Sequence, residues 1–383
     1  MSSIRHPRRT WFGAGTIERL KEEALFLKAR RALFFTDKGV RGAGVADKAL
    51  APLEEAGVEA VIYDECPPEP AIGDLEAAHE RFKDESPDLV LGVGGGSSMD
   101  MAKSVAAILA NGGKPRDYLG VELLPKPSVP TILVPTTSGT GAEATPNAIF
   151  SVPEQGVKLA IVSTYIIPWV AIVDPALTLS APQKVTAASG VDALTHCLES
   201  FVNPNSHPLS EHYSVRGMEL IAGSLRQVCR DGKDLKARSD MALGSHYGGV
   251  CLAGAGAGAI HALAYPLGSR FHIPHGVSNS LMFSHVMRWN FEAAPAKFAR
   301  IARILGEKTD GLAEREAAER SVGAVERLCR DCGVPTRLSE VGVPAHVIPE
   351  LAEAAFSTQQ RLLGFNPRKL TQEDIEAIYR AAA

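Results

Sequence analysis

A carboxylate and an imidazole lie one helical turn apart in the segment VDALTHCLE, as Asp192 and His196. Residues four apart on a helix share one face, so both side chains project into one small region. Alone, this pair is more typical of polar side chains at a buried turn. His261, His272 and His275 follow in AGAIHALAYPLGSRFHIPHG. Buried ionisable groups are costly unless they are paired or metal-bound, and one carboxylate with neutral imidazoles suits Fe²⁺ or Zn²⁺. We therefore predict a metal ion bound by Asp192, His196, His261 and His275. His272 lies outside this predicted ligand set.

A glycine-rich turn in the first half, LVLGVGGGSSMDMAKS, has the pattern of a strand, a turn and a helix. Glycines let backbone N–H groups approach an anion, and the helix N-terminus adds a partial positive charge. This pattern suits a pyrophosphate, although it matches neither the Walker sequence nor the G-x-G-x-x-G spacing. A tight turn without a ligand is the alternative interpretation.

Two further segments follow predicted strands, where ligands collect in open α/β sheets. VPTTSGTGAEAT carries the hydroxyls of Thr136, Thr137, Ser138 and Thr140, which could reach a phosphate or a ribose. Asp37 closes an earlier strand. A carboxylate there accepts hydrogen bonds from a ribose diol and repels a 2′-phosphate, which favours NAD over NADP. An aspartate that only caps a turn is the alternative.

The elements that must position these residues change character along the chain. Short β-rich runs alternate with helical patterns up to about Pro175, which predicts a mostly parallel, doubly wound sheet with helices on both faces. Long Ala/Leu-rich helices follow. We therefore predict a dinucleotide-binding α/β domain at 1–180 and an all-helical metal-binding domain at 181–383. The run GAGAGA at 254–259 indicates close helix packing rather than a flexible linker. The five predicted strands lie at 32–35, 60–63, 89–93, 131–134 and 170–173.

Composition narrows the function classes. A chain of 383 residues is too long for one ordinary core. The net charge of −4 gives no basic excess for nucleic acid, and the sequence has no apolar run of the length that a membrane helix needs. The N-terminus has no apolar region typical of a signal peptide, so we expect a cytoplasmic protein without membrane partners. Six scattered cysteines, of which Cys329 and Cys332 are the closest pair, are typical of ordinary thiols in a reducing compartment.

Several motifs in fixed order carry a resemblance to a known family. The chain resembles the iron-containing, group III alcohol dehydrogenases over essentially its whole length. Its GGGSSMDMAK segment fits that family's GGGSxxDxAK signature at each fixed position. The other matching segments are PTTSGTGAE at 135–143, GVDALTH at 190–196, HALAYPLG at 261–268, PHG at 274–276 and NPRKLTQEDIEAIYRAA near the end.

This resemblance implies a dehydroquinate-synthase-like fold and a homodimer or larger homo-oligomer. It implies reversible hydride transfer between NAD and a small primary alcohol or diol, or the corresponding aldehyde, with Fe²⁺ or alternatively Zn²⁺ as the metal. The implied metal ligands are the four residues named above. The implied cofactor contacts are Asp37, Gly95, Gly96, Ser97, Thr136, Thr137, Thr140 and Lys158.

Two departures from the family pattern concern the site. A histidine thought to help relay a proton in some members is replaced by Tyr265, so Tyr265, His272 or a ribose hydroxyl of the cofactor is the candidate for this role. An asparagine near a cofactor ribose in some members is replaced by Glu69.

Two other activities fit parts of the pattern. One is a dehydroquinate-synthase-like lyase that uses NAD transiently, and the other is a zinc-dependent polyol dehydrogenase. The Asp192-x3-His196 pattern and the C-terminal NPR favour the alcohol dehydrogenase.

Overall fold

The computed structural model describes residues 3–383. They form two compact units, Arg5–Ala181 and Pro182–Ala383, and Ile4 groups with the second unit. Residues 1 and 2, which belong to the predicted first domain, lie outside the described residues. The strands within 3–383 are β1 (Arg9–Phe12), β2 (Arg31–Phe35), β3 (Glu59–Tyr63), β4 (Leu89–Gly94), β5 (Gly120–Val121), β6 (Thr131–Pro135), β7 (Asn147–Val152), β8 (Val157–Val162) and β9 (Val170–Val173). The α-helices are α1 (Arg19–Phe26), α2 (Lys38–Gly42), α3 (Val45–Glu55), α4 (Ile72–Phe82), α5 (Gly96–Asn111), α6 (Gln183–Val202), α7 (Pro208–Arg230), α8 (Leu235–Ala255), α9 (Ala259–Phe271), α10 (His275–Asn290), α11 (Pro295–Ile304), α12 (Glu314–Asp331), α13 (Ile348–Thr358), α14 (Gln360–Leu363) and α15 (Gln372–Ala382).

The first unit is organised by a six-stranded sheet in the order β1-β9-β6-β4-β2-β3. All neighbouring strands in it are parallel, which confirms the predicted sheet. Side chains alternate along a strand, so β2 directs Leu33 and Phe35 into one core and Ala32 and Phe34 into the other. Helix α5 covers the first face, and α1 and α3 cover the second. The sheet is therefore buried on both faces, as parallel sheets require.

A smaller sheet in the same unit was not predicted from the sequence. It has the order β5-β8-β7, and β7 and β8 form an antiparallel hairpin. The hairpin closes near Gly156, whose φ of 66° lies in the left-handed region that glycine adopts readily. This hairpin places Lys158, a predicted cofactor contact, on β8.

A buried ion pair fixes the loop that follows β6. The ammonium of Lys103, which is fully buried on α5, lies 3.1 Å from the Asp100 carboxylate. It also donates to the backbone carbonyls of Ala142, at 3.0 Å, and of Asn147. Asp100 in turn accepts from the backbone N–H of Ile149 at 2.9 Å. Burial raises the pKa of Asp100, and the Lys103 charge opposes that shift. These two residues of the GGGSSMDMAK segment therefore hold the loop and β7 against α5.

The second unit is helical and packs around α6, which contacts α7, α8 and α10. Glycines let these helices approach closely. A Cβ at Gly190 would lie 2.3 Å from Leu225 Cδ1 of α7, and one at Gly276 would lie 2.2 Å from the carbonyl oxygen of Ala188. Both glycines are near predicted metal ligands, Asp192 and His275. The helix contacts that bring these ligands together therefore depend on glycine, which has no side chain, at both positions.

The GAGAGA run marks a sharp bend between α8 and α9. The two helix axes differ in direction by 107°, and Gly256 between them has a φ of 95°. A Cβ at Gly256 would lie 2.9 Å from the Phe365 ring, so this segment is packed. The bend starts α9 at Ala259 and places His261 in its first turn.

Within residues 3–383, no single helix is long and apolar enough to cross a membrane. The bent pair α8–α9 has the necessary length and composition only when its two helices are taken together.

We predict that Gly276→Ala lowers the melting temperature, because the new Cβ would force α6 and α10 apart. Overpacking of this kind costs about 1–3 kcal/mol. The measurement is thermal unfolding by calorimetry. Gly223→Ala is the matched control, since it lies exposed on α7 with no atom within 4 Å of the added Cβ. Alanine is favoured there by roughly 1 kcal/mol. Equal melting temperatures for the two variants would show that the α6–α10 contact is not tight.

Candidate metal centre and dinucleotide-binding turn

Three helices of the second unit bring together the four residues predicted as metal ligands. Helix α6 carries Asp192 and His196 one turn apart, α9 carries His261, and α10 begins at His275. One ligand atom from each lies within 4.8 Å of those of the others. From Asp192 Oδ1, the distance to Nε2 is 3.7 Å for His196, 3.5 Å for His261 and 3.5 Å for His275.

The cluster is buried except on one side. The side chains of Asp192, His196 and His261 are 3%, 6% and 2% exposed, whereas that of His275 is 22% exposed. Burial alone would raise the pKa of Asp192, but His196, His275 and His261 lower it more strongly. Burial also lowers the pKa of His261, while Glu199 and Asp192 raise it to about 9. The carboxylate of Asp192 is thus held in the anionic form that a cation requires.

The donor set fits a divalent cation, and so does the distance from the Asp192 carboxylate to each of the three histidines. Zinc–nitrogen bonds are about 2.0–2.1 Å long, so two donors on one ion are at most about 4.2 Å apart. The Asp192–histidine distances of 3.5–3.7 Å fall within that limit. One carboxylate and three imidazoles suit Zn²⁺ or Fe²⁺.

Glu199 belongs to this centre and was missed by the sequence analysis. Its carboxylate lies 2.6 Å from His261 Nδ1 and accepts from the backbone N–H of Ile260 at 2.6 Å. A carboxylate that accepts a hydrogen bond from one ring nitrogen of a metal-binding histidine fixes the tautomer and the orientation of that ring. Glu199 therefore turns His261 Nε2 toward Asp192 and also satisfies an N–H at the start of α9. The sequence does contain a signal for Glu199: it follows Asp192 by two helical turns and therefore lies on the same face of α6.

The two candidates for proton transfer lie in different surroundings. The Tyr265 ring centroid is 5.7 Å from that of His275 and 6.4 Å from that of His261. His272 is exposed at the C-terminal end of α9, with a left-handed φ of 54°. Tyr265 therefore borders the cluster, and His272 lies outside it.

In the first unit, three neighbouring strands end at one edge of the sheet. Asp37 follows β2, the glycine turn follows β4, and β4 lies between β2 and β6. Asp37 Oδ1 accepts from the backbone N–H of Val40 at 2.9 Å and caps α2. Asp37 Oδ2 lies 3.5 Å from the position of a Cβ on Gly94. One carboxylate oxygen therefore serves the turn, and the other lies beside the glycine segment.

The glycine turn packs against the loop after β6. A Cβ on Gly95 would lie 3.6 Å from Thr137 Oγ1, and one on Gly96 would lie 2.7 Å from Thr140 Cγ2. Gly95, Gly96 and Ser97 are half-buried and open the sixteen-residue helix α5. The structure therefore groups the backbone N–H groups of a helix N-terminus with two threonine hydroxyls.

Thr136 and Ser138, whose hydroxyls were also considered for phosphate or ribose contacts, are buried in the same loop. The backbone N–H of Thr136 donates to the Gly94 carbonyl at 2.9 Å, which joins loop and turn. Ser138 Oγ has no hydrogen-bond partner among the described residues. Buried polar groups are nearly always bonded, so the orphaned hydroxyl and the helix N-terminus fit a phosphate-containing ligand.

Lys158 reaches this turn through Glu69. The buried Lys158 ammonium contacts the Glu69 carboxylate, and the Glu69 N–H donates to Ser97 Oγ at 3.1 Å. Glu69 has a left-handed φ of 54°, which costs a residue with a Cβ about 1–2 kcal/mol. The position where this sequence departs from the family pattern is therefore strained and lies beside the turn.

Comparisons with known proteins cover nearly the whole chain. The family models "Iron-containing alcohol dehydrogenase" and "Fe-containing alcohol dehydrogenase family, C-terminal" match residues 7–175 and 186–383. The chain is 40% identical to long-chain-alcohol dehydrogenase 1 of Geobacillus thermodenitrificans, over 97% of this chain and 94% of that protein. It is 34% identical to the NAD-dependent methanol dehydrogenase of Bacillus methanolicus over 100% of both. A crystal structure of a 1,3-propanediol oxidoreductase superposes with a TM-score of 0.96 at 37% identity, covering 100% of both chains.

We predict that Glu199→Gln weakens binding of Zn²⁺ by 10–100-fold, the usual effect of losing a carboxylate behind a ligating histidine. Competition with a chromophoric chelator measures the affinity. Ser189→Ala on the same helix is the control, because Ser189 Oγ bonds within α6 to the Val185 carbonyl at 2.7 Å. Equal loss of affinity in both variants would point to general damage to α6 rather than to the histidine contact.

Proposed function

The chain belongs to the iron-containing alcohol dehydrogenase family, and on this premise we propose that it transfers a hydride reversibly between NAD and a small primary alcohol or diol, or the corresponding aldehyde. The observation that carries this proposal is the convergence of one carboxylate and three imidazoles in a buried cluster. Buried ionisable groups are costly unless they are paired or bound to a cation, so a bound metal ion explains this cluster best.

The proposed metal ligands are Asp192, His196, His261 and His275. The chemistry that a divalent cation supplies when bound there is polarisation of an alcohol or carbonyl oxygen. Fe²⁺ is the proposed ion, in line with the family, and Zn²⁺ is the alternative, since both accept these ligands. The more exposed side of the cluster, at His275, is where a substrate oxygen would approach.

NAD is the proposed cofactor. Its phosphates fit the N-terminus of α5 and the Thr137 and Thr140 hydroxyls, and Asp37 would accept hydrogen bonds from a ribose diol. The name of the methanol dehydrogenase relative supports NAD as well. The other proposed contacts are Gly95, Gly96, Ser97, Thr136 and Lys158.

Tyr265 is the proposed residue for proton movement to and from the substrate oxygen. Its ring lies beside His275 and His261, whereas His272 is exposed and lies outside the cluster. A positioned acid or base contributes about 10²–10⁴-fold to the rate.

The names of a 1,3-propanediol oxidoreductase and a methanol dehydrogenase that match the chain along its whole length support the proposed small substrate class. The name of the long-chain-alcohol dehydrogenase relative, at 40% identity, supports a longer alcohol as the alternative. We also propose a homodimer or larger homo-oligomer, in line with the family.

The test is NADH oxidation by Fe²⁺- and Zn²⁺-loaded protein over a panel of short aldehydes, hydroxy-aldehydes and oxo-acids. We expect turnover with short aldehydes and net formation of NAD.

His261→Ala should lose bound metal and nearly all turnover but keep its NADH affinity, because the ligand lies in the unit that does not carry the glycine turn. Tyr265→Phe should keep its metal and be slowed by at most about 10²–10⁴-fold. Consumption of substrate without net oxidation of NADH would instead indicate a lyase that uses NAD transiently.

Cofactor choice gives a separate prediction. Asp37→Ser keeps a side chain that can cap α2 but removes the charge that repels a 2′-phosphate. Two like charges about 4 Å apart interact by about 1–4 kcal/mol, so the kcat/KM ratio of NADPH to NADH should rise roughly tenfold or more. Asp47→Ser, an equal loss of charge at an exposed position on α3, should leave the ratio unchanged. A ratio unaffected by Asp37→Ser would remove Asp37 from the ribose site.

A further inference from the structure

Asn279 lies in the metal centre although neither the sequence motifs nor the proposed ligand set include it. It follows His275 by one turn of α10, so the two side chains share a helix face. Asn279 is completely buried. Its amide is thus directed into the same enclosed region as the histidine cluster.

The amide nitrogen of Asn279 contacts the cluster at the ligand atoms themselves. Nδ2 donates to Asp192 Oδ1 at 2.7 Å. It also lies 3.3 Å from His261 Nε2 and 3.4 Å from His275 Nε2. The hydrogen bond to Asp192 is the shortest of the three contacts and is assisted by the carboxylate charge.

The other end of the amide is unsatisfied. Asn279 Oδ1 is buried and has no hydrogen-bond partner among residues 3–383. Buried side-chain oxygens are seldom left without a partner. The Asp192 carboxylate therefore orients the amide, although the amide oxygen is left without a partner. No complementary network of the described residues around the amide accounts for its orientation.

A second asparagine on the same helix shows the contrast. Asn290 is also buried, and its amide exchanges two hydrogen bonds with Asn366, at 2.7 and 2.8 Å. Both ends of that amide are satisfied, as expected for an asparagine that joins two segments of the fold. Asn279 has no such arrangement, although it occupies the better-buried position.

We infer that Asn279 is a positioning residue of the metal centre, whose amide N–H holds the Asp192 carboxylate where Oδ1 meets the three histidines. This inference rests on the proposed ligand set. Hydrogen bonds to ligating carboxylates tune metal affinity, and their removal typically costs 10–100-fold. An amide suits the position because it donates without adding a charge to the cluster.

The experiment measures Zn²⁺ affinity by chelator competition, with Zn²⁺ as the probe, and melting temperature with and without Zn²⁺. The proteins are the unsubstituted chain, Asn279→Ala, Asn279→Asp and Asn290→Ala. We expect Asn279→Ala to bind Zn²⁺ 10–100-fold more weakly. Asn290→Ala should lower the melting temperature but leave the Zn²⁺ affinity unchanged.

Asn279→Asp keeps the shape of the side chain and supplies a test if the alanine variant does not fold. It places a second carboxylate against Asp192, and like charges in one site destabilise each other unless a cation is present. The Zn²⁺-induced rise in its melting temperature should therefore exceed that of the unsubstituted chain.

Each result decides the inference. Unchanged Zn²⁺ affinity in Asn279→Ala, or a Zn²⁺-induced rise in Asn279→Asp no larger than that of the unsubstituted chain, would reduce Asn279 to a packing role and overturn it. If the unsubstituted chain itself does not bind Zn²⁺ and His261→Ala behaves identically, the proposed metal centre fails and the inference fails with it. Binding by the unsubstituted chain that depends on His261 but not on Asn279 rejects the inference alone.

Discussion

The helical unit depends on holding one carboxylate and three imidazoles together where water is nearly excluded. Such groups are costly to bury unless they are paired or bound to a cation, and here Asp192 Oδ1 has an imidazole nitrogen from each of three histidines within 3.7 Å. The surrounding contacts serve this cluster. Glu199 orients His261, and Gly276 lets α10 approach α6 so that His275 comes within reach. We expect a change to either residue to alter the geometry of the ligands as well as the packing.

The proposed dinucleotide-binding turn differs from the metal cluster, because a buried hydroxyl of its loop has no hydrogen-bond partner among the described residues. The half-buried Gly95, Gly96 and Ser97 open α5, and Ser138 Oγ has no partner among the described residues. The support lies behind the turn, where the buried Lys103 ties the loop after β6 to α5 through two backbone carbonyls. Strain at Glu69, next to Ser97, is consistent with a site that is kept for binding and not for stability.

The sequence predicted the features that leave a local pattern. Five of the six strands of the parallel sheet were visible as short β-rich runs, and the four clustered residues were recognised by ligand type and motif order. The β7–β8 hairpin was missed because apolar and polar residues do not alternate in the sequences of β7 and β8, although side-chain burial alternates along β7. Strand β1 was missed because it is a mostly exposed edge strand. Glu199 and Asn279 were missed for a different reason. Their partners are distant in sequence, and a buried glutamate or asparagine on a helix does not show what it faces.

The central claim is that Asp192, His196, His261 and His275 share one divalent cation. Anomalous diffraction at the absorption edge of the bound metal, from crystals of the metal-loaded protein, tests it most directly. The account predicts one strong peak about 2.0–2.2 Å from Asp192 Oδ1 and from Nε2 of each of the three histidines. A peak bound by other residues, or no peak in this cluster when the protein is fully loaded, would contradict it.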